Sequence, residues 1–228
     1  MRSQNAAMLK LPLLLTLTFI GALITWLAPM GLPGLPREAG FLTKPLTTIL
    51  IMAFAWQRGL STPQLRAWVL AGLAFSLVGD IALMWKQGFV IGLLAFLLAH
   101  LAYLWAFTRV WRLASWPWSF VGFGLVAAAI LSWLWPGIPA ALHVPVTLYV
   151  VCLSTMAAQA SVIGWRARGT ADARRAAVLA LGGLLFFISD GSLAINKFGG
   201  PVGWAEALVL PTYWGAQWCI ASWLAPAR

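Results

Sequence analysis

Carboxylates are scarce in this chain: Asp and Glu together number five in 228 residues, against fifteen Lys and Arg. With 62% of residues hydrophobic and only 9% charged, the sequence excludes an ordinary soluble domain, in which about a quarter of residues carry charge. Cysteine is rarer still. Cys152 and Cys219 stand alone in apolar runs with no Cys-x-x-Cys spacing, which reads as small buried hydrophobes and not as a disulfide or thiolate metal site. His100 and His143 are the two histidines, and no His-Glu-x-x-His, Gly-x-Ser-x-Gly or Walker loop is found, so the common zinc-hydrolase, serine-hydrolase and nucleotide-binding motifs are absent. A net charge of +10 does not imply nucleic acid, because the basic residues lie singly or in pairs at the edges of apolar runs. That placement suits membrane topology and anionic headgroups.

What the chain has is long apolar runs and a mean hydropathy of +0.88. Read against Pro and Gly breakers, they predict an all-α polytopic bundle of eight membrane spans near 11–29, 42–57, 67–84, 89–108, 118–135, 142–164, 176–195 and 204–225. No linker divides it, so residues 1–228 read as one integral membrane domain. The first run follows Arg2 and Lys10 but lacks a small-x-small cleavage site, and reads as a retained span. Alternate connections carry Arg2, Lys10, Arg58, Arg66, Arg109, Arg112, Arg166, Arg168, Arg174, Arg175 and Arg228, whereas the other side holds Arg37, Lys44, Lys86 and Lys197. By the positive-inside rule both termini are cytoplasmic. Trp56, Trp85, Trp111, Trp135, Trp165 and Trp204 fall at span ends, as an interfacial belt requires.

Against this background the few ionisable residues inside spans carry the functional information, because each costs at least about 2.5 kcal/mol to insert. Glu38 and Asp172 lie in loops beside Arg. Asp80 and Asp190 instead sit about one turn inside the non-cytoplasmic ends of the third and seventh spans. Gly79-Asp80-x-x-Leu83 and Ser189-Asp190-x-x-Leu193, each followed by a Lys and a Phe, echo one another four spans apart, as a parallel four-plus-four repeat would produce. Equal depth would let the two carboxyls meet across a helix interface. Two carboxyls in contact share a proton, which makes an acid and a base from one residue type. The alternative is that each pairs with a nearby Lys (Lys44, Lys86 or Lys197) as structural glue. His100 shares a helical face with Phe96, Tyr103 and Phe107, and serves either as an interhelical hydrogen-bonder or as a proton-handling or positioning group. His143 reads as interfacial. Glu206, Tyr213 and Gln217 share a face of the last span, while Lys44, Asn196 and Lys197 lie near the outer mouth, where a phosphate could be held. The spacing of Asp80, His100 and Asp190 does not call for a metal.

These motifs together resemble a known family. Phe75-Ser76-x-x-Gly79-Asp80-x-x-Leu83, Gly92-x-x-x-Phe96-x-x-x-His100-x-x-Tyr103, Phe186-x-x-Ser189-Asp190-x-x-Leu193-Ala194 with Lys197-Phe198, and Tyr213-Trp214-x-x-Gln217 are similar to the YhhN-type lysoplasmalogenases, as are Lys44-Pro45 and Tyr149. The resemblance runs from about Lys44 to Gln217. It implies an eight-span membrane hydrolase that cleaves the vinyl ether bond of a lysoplasmalogen, with a choline or ethanolamine headgroup, to a fatty aldehyde and a glycerophospho compound. Asp80, Asp190 and His100 would form the catalytic core, and Lys44, Tyr103, Tyr149, Asn196, Lys197, Tyr213 and Gln217 the substrate-binding shell. The chemistry needs a general acid, an anion beside the oxocarbenium ion and a base for water, but neither a metal nor an organic cofactor. The expected partners are a lysophospholipid and membrane lipids, and the expected site is a bacterial inner membrane. Two rivals suit the same residues: a proton-coupled transporter using Asp80, Asp190 and His100 as a relay, and a noncatalytic lipid-binding protein.

Overall fold

In the computed structural model, which describes residues 11–28, 36 and 38–226, the described regular elements are all helical. Eight α-helices follow in order: α1 (Leu11–Leu27), α2 (Ala39–Trp56), α3 (Pro63–Ala82), α4 (Phe89–Thr108), α5 (Pro117–Leu134), α6 (His143–Arg166), α7 (Ala173–Phe198) and α8 (Gly203–Trp223). Pro63 and Pro117 open α3 and α5, where a missing N–H costs no intrahelical bond and the fixed φ favours the first turn. Each expected span has its helix, but several run further than the apolar pattern, α7 by three residues at each end. Helical hydrogen bonding continues to headgroup depth, where Arg174, Arg175 and Lys197 are tolerated because long cationic side chains reach water. Of the expected breakers and charges, Pro33, Gly34, Arg2, Lys10, Arg37 and Arg228 lie outside the described residues.

Six helices, α2 to α7, are long and apolar enough to cross a membrane. With 17 residues, α1 is apolar but shorter. At 21 residues α8 is long enough, but its polar and aromatic side chains Tyr213, Trp214 and Gln217 point into the bundle. Many large apolar side chains, among them Leu42, Leu125, Val144 and Leu148, face outward. Such a surface belongs in lipid, since water-soluble proteins rarely expose wide apolar patches.

The packing repeats after four helices. The series α2, α3, α4, α6, α7, α8 closes on itself through α4 with α6 and α8 with α2, while α1 packs outside on α2 and α8, and α5 on α6 and α7. The ring of six repeats after four helices, as a four-plus-four duplication would give, whereas the outer helices differ, α1 touching α8 and α5 touching α7. Two local features fasten the ends. Pro211 inside α8 removes the N–H that Ala207 C=O would otherwise meet, and Trp26 Nε1 of α1 donates to that carbonyl at 3.0 Å. At the Arg-rich end, Arg58 donates to Leu224 O and Ser222 O, both at 2.9 Å, and Gly59 N–H donates to Ala225 O. These bonds satisfy the last carbonyls of α8.

Candidate functional site

Asp80 and Asp190 sit in matching helices, α3 and α7, and each is approached by the helices that the repeat predicts. Asp80 lies two residues before the end of α3 and is 1% exposed. Thr48 of α2 donates to its Oδ2 at 2.6 Å, and Tyr213 of α8 donates to the same oxygen at 2.8 Å. Lys44 Nζ stands 3.6 Å from Oδ1 and donates to the Asp80 main-chain carbonyl at 3.3 Å. Asp80 is therefore a buried carboxyl with two hydroxyl donors on Oδ2 and a lysine facing Oδ1, the kind of company a buried charge requires.

Asp190 has a different shell. It lies eight residues before the end of α7, about two turns in, deeper than the one turn expected from the apolar run. Tyr149 of α6 donates to its Oδ2 at 2.5 Å, a short contact of the kind hydroxyl donors make to carboxylates. His100 Nε2 of α4 stands 3.6 Å from the same oxygen, beyond hydrogen-bond range, and neither ring nitrogen has a hydrogen-bond partner. The imidazole is fully buried, edge-on to Phe186 at 4.6 Å and to Tyr149 at 5.2 Å between ring centroids. Among the described residues, no lysine pairs with Asp190. Lys197 turns over the Phe89 ring at 4.7 Å, a cation–π contact.

No hydrogen bond or ion pair joins the two carboxyls. Phe96 and Phe186 stand between their shells, with Phe96 edge-on to Tyr213 at 5.7 Å and Phe186 touching both Tyr213 and His100. The expected contact between the acids is thus replaced by two separate carboxylate shells on either side of an aromatic wall. Gly79, beside Asp80, makes room for this wall, because a Cβ there would lie 2.5 Å from the Phe96 ring. Gly72, two turns earlier, does the same for Tyr103, whose hydroxyl donates to Gln217 Oε1 at 2.6 Å and ties α4 to α8.

A cleft opens on the Asp190 side, with about 790 Å³ of space that includes its open mouth. Its walls come from the end of α3, from α4, α5, α6 and α7, and include Leu83, Phe96, Ala127, Leu131, Val150 and Phe187. The polar side chains on it are Tyr149, Asp190 and Lys197, the last where α7 ends. This is the shape of a site for an amphiphile: apolar walls for a chain, a carboxyl part-way along and a cation near one end.

Of the residues expected to form the site, Asp190, Tyr149 and Lys197 line the cleft, and His100 contacts two of its surroundings from behind. Asp80, Lys44, Tyr103, Tyr213 and Gln217 form the second polar cluster, away from it. Asn196 does neither: its Oδ1 accepts from Val202 N–H and closes the turn between α7 and α8. The side chain of Glu206 lies outside the described residues. His143 bonds Ile138 O and stacks on Trp135, as an interfacial residue would. Sequence reasoning missed Thr48, though its spacing of four from Lys44 puts both on one face of α2. It also missed the α5 wall of the cleft, which bears no motif.

Comparison with known proteins places these features in a family. The YhhN family profile matches residues 39–224. The chain is 39% identical over 165 residues to a human protein named lysoplasmalogenase TMEM86A, a match covering 67% of this chain and 63% of that protein. It is 33% identical over 158 residues to a Mycobacterium tuberculosis lysoplasmalogenase, covering 65% and 56%, and 30% identical over 183 residues to rat lysoplasmalogenase TMEM86B, covering 80% and 71%. The chain thus spans somewhat less than two thirds of the length of the human protein. No solved structure matches it. With more than four fifths of its length inside the family profile, including both aspartate clusters and the cleft, this chain belongs to the YhhN family.

Proposed function

We propose that this chain is a membrane-embedded hydrolase that cleaves the vinyl ether bond of a lysoplasmalogen. The observation that carries the reading is the cleft itself, an apolar channel on which Asp190, hydrogen-bonded by Tyr149, is the one carboxyl. The names of its human, mycobacterial and rat relatives support the same reading. The alkenyl chain lies among Leu131, Val150 and Phe187, and the phosphate lies toward Lys197 at the non-cytoplasmic end. We place the protein in a bacterial inner membrane with both termini cytoplasmic, following its arginine asymmetry.

In this mechanism the Asp190 carboxyl gives its proton to the alkenyl carbon β to the ether oxygen, and the carbon–carbon double bond becomes the oxocarbenium ion. Asp190, now an anion, stands beside that cation and takes a proton from the water that attacks it. The hemiacetal then collapses to aldehyde and glycerophospho alcohol, and the carboxyl ends as it began. One carboxyl thus serves first as acid and then as base, as one does in a retaining glycosidase. Tyr149 fixes Oδ2 and leaves Oδ1 for the substrate, and His100 positions the pair. Asp80, ion-paired with Lys44, is a structural brace that holds α2, α3 and α8 together.

The test is aldehyde release from choline and ethanolamine lysoplasmalogens by purified protein in detergent, without any ion gradient. Turnover by the wild type and none by folded Asp190→Asn supports the reading. A stable, monodisperse wild type that releases no aldehyde from either lipid rejects it and leaves gradient-driven transport as the next assay.

A further inference from the structure

A second cleft lies at the opposite, Arg-rich end of the bundle, where the start of α5, the last turns of α6 and the start of α7 meet, with about 1060 Å³ of space open to the surroundings. Along α7, sixteen residues separate Arg174 at this cleft from Asp190, about 24 Å at 1.5 Å per residue. The two sites therefore occupy opposite halves of the membrane. Ser161, Gly164, Ala177 and Ala180 form a floor of small side chains. Trp116 and Trp165, stacked at 4.7 Å and nearly parallel, form one wall, and the Arg168 guanidinium lies 3.7 Å over the Trp165 ring. Arg174 lines the same cleft.

Both arginines lack an acidic partner among the described residues. Asp172, the one acid near them in sequence, is held by Arg175, and Asp80 and Asp190 are engaged near the far end of the bundle. A guanidinium lying over an indole ring keeps N–H groups free, and this cation together with Arg174 beside an apolar floor suits a phosphate attached to an acyl chain better than either part alone. We propose that this cleft is a binding site for an anionic phospholipid of the Arg-rich leaflet, separate from the substrate cleft. Its occupant braces α5, which packs mainly on α6 and α7 at the edge of the bundle and supplies one wall of the substrate cleft.

The experiment measures thermal unfolding of the full-length protein in dodecylmaltoside micelles doped with phosphatidylglycerol, with phosphatidylcholine or with inorganic phosphate alone, and counts bound lipid by native mass spectrometry. Phosphatidylglycerol should raise the midpoint and remain bound, whereas phosphatidylcholine and phosphate should do neither. Arg168→Gln with Arg174→Gln should weaken phosphatidylglycerol binding roughly thirtyfold, about fivefold for each basic group at an anionic surface. The control pair Arg109→Gln with Arg112→Gln, at the same end but outside the cleft, should bind as wild type. Equal stabilisation by phosphatidylcholine or by free phosphate, or equal loss in the control pair, would overturn the site. A cleft variant unfolding as wild type without lipid yet still responding to phosphatidylglycerol would do so too.

Discussion

Asp80 and Asp190 hold equivalent places in the two halves of the bundle, and their surroundings have diverged. Each receives a hydroxyl from the preceding helix of its own half, Thr48 or Tyr149, and each is approached by the last helix of the other half, through Tyr213 or His100. Around Asp80 the remaining space is taken by Lys44, and the carboxylate is sealed. Around Asp190 the corresponding space is the cleft, and no cation pairs with the carboxyl there. The two halves thus supply two similar carboxyl positions. One is filled by a lysine, and the other is left open to the cleft, where the proposed function puts the reacting lipid.

The strongest way to break this comparison is to neutralise the two acids separately. Asp190→Asn should lower kcat for aldehyde release by about 10² to 10⁴, the usual contribution of a general acid, with the unfolding midpoint little changed. Asp80→Asn should do the reverse. Removing one partner of a buried pair leaves Lys44 uncompensated and should cost on the order of 3 kcal/mol of stability, while the folded fraction keeps most of its kcat. Combining Asp80→Asn with Lys44→Met should restore much of that loss, because an apolar replacement of the whole pair removes the stranded charge. An Asp80→Asn protein that unfolds like wild type but releases no aldehyde would place Asp80 in the reaction and end the division of labour.

A finer cut compares the two tyrosines. Tyr149→Phe deletes the donor that fixes Asp190 Oδ2, and should reduce kcat about tenfold, as expected for one hydrogen bond to a carboxyl that ionises as it gives up its proton. Tyr213→Phe deletes the equivalent donor on Asp80, where Thr48 and Lys44 remain. It should lower the unfolding midpoint by a few degrees and leave kcat within about twofold. If both variants lost activity equally, the two shells would be working as one site.

How much of this could be read beforehand differs between the fold and the site. The helices were legible because the pattern that inserts them is local: apolar runs ended by Pro63, by Trp116-Pro117 and by the glycines after Phe198. Asp80 and Asp190 stood out for the same reason, since each is an expensive residue in an otherwise apolar segment. Their separation was not legible. It depends on which side of α3 and α7 each carboxyl faces and on Phe96 and Phe186 packing between them, and both follow from long-range closure of α4 on α6 and α8 on α2. Nor did anything in the chain distinguish Lys44, turned inward to Asp80, from Lys197, which lines the cleft: both simply sit near span ends. The α5 wall was invisible because Ala127, Ile130, Leu131 and Leu134 are ordinary membrane residues whose meaning comes only from what they face.

The smallest expected effect concerns those two lysines. If Lys197 meets the phosphate of a lipid whose chain fills the cleft, then Lys197→Gln removes an interaction made equally in the ground state and the transition state. It should raise KM a few-fold with kcat unchanged, because the side chain is exposed and its field is screened. Lys44→Gln, by contrast, removes the partner of a buried carboxylate and should lower stability without a matching rise in KM. The same KM increase from both substitutions would mean that the headgroup reaches Lys44, and that the aromatic wall of Phe96 opens when the lipid binds.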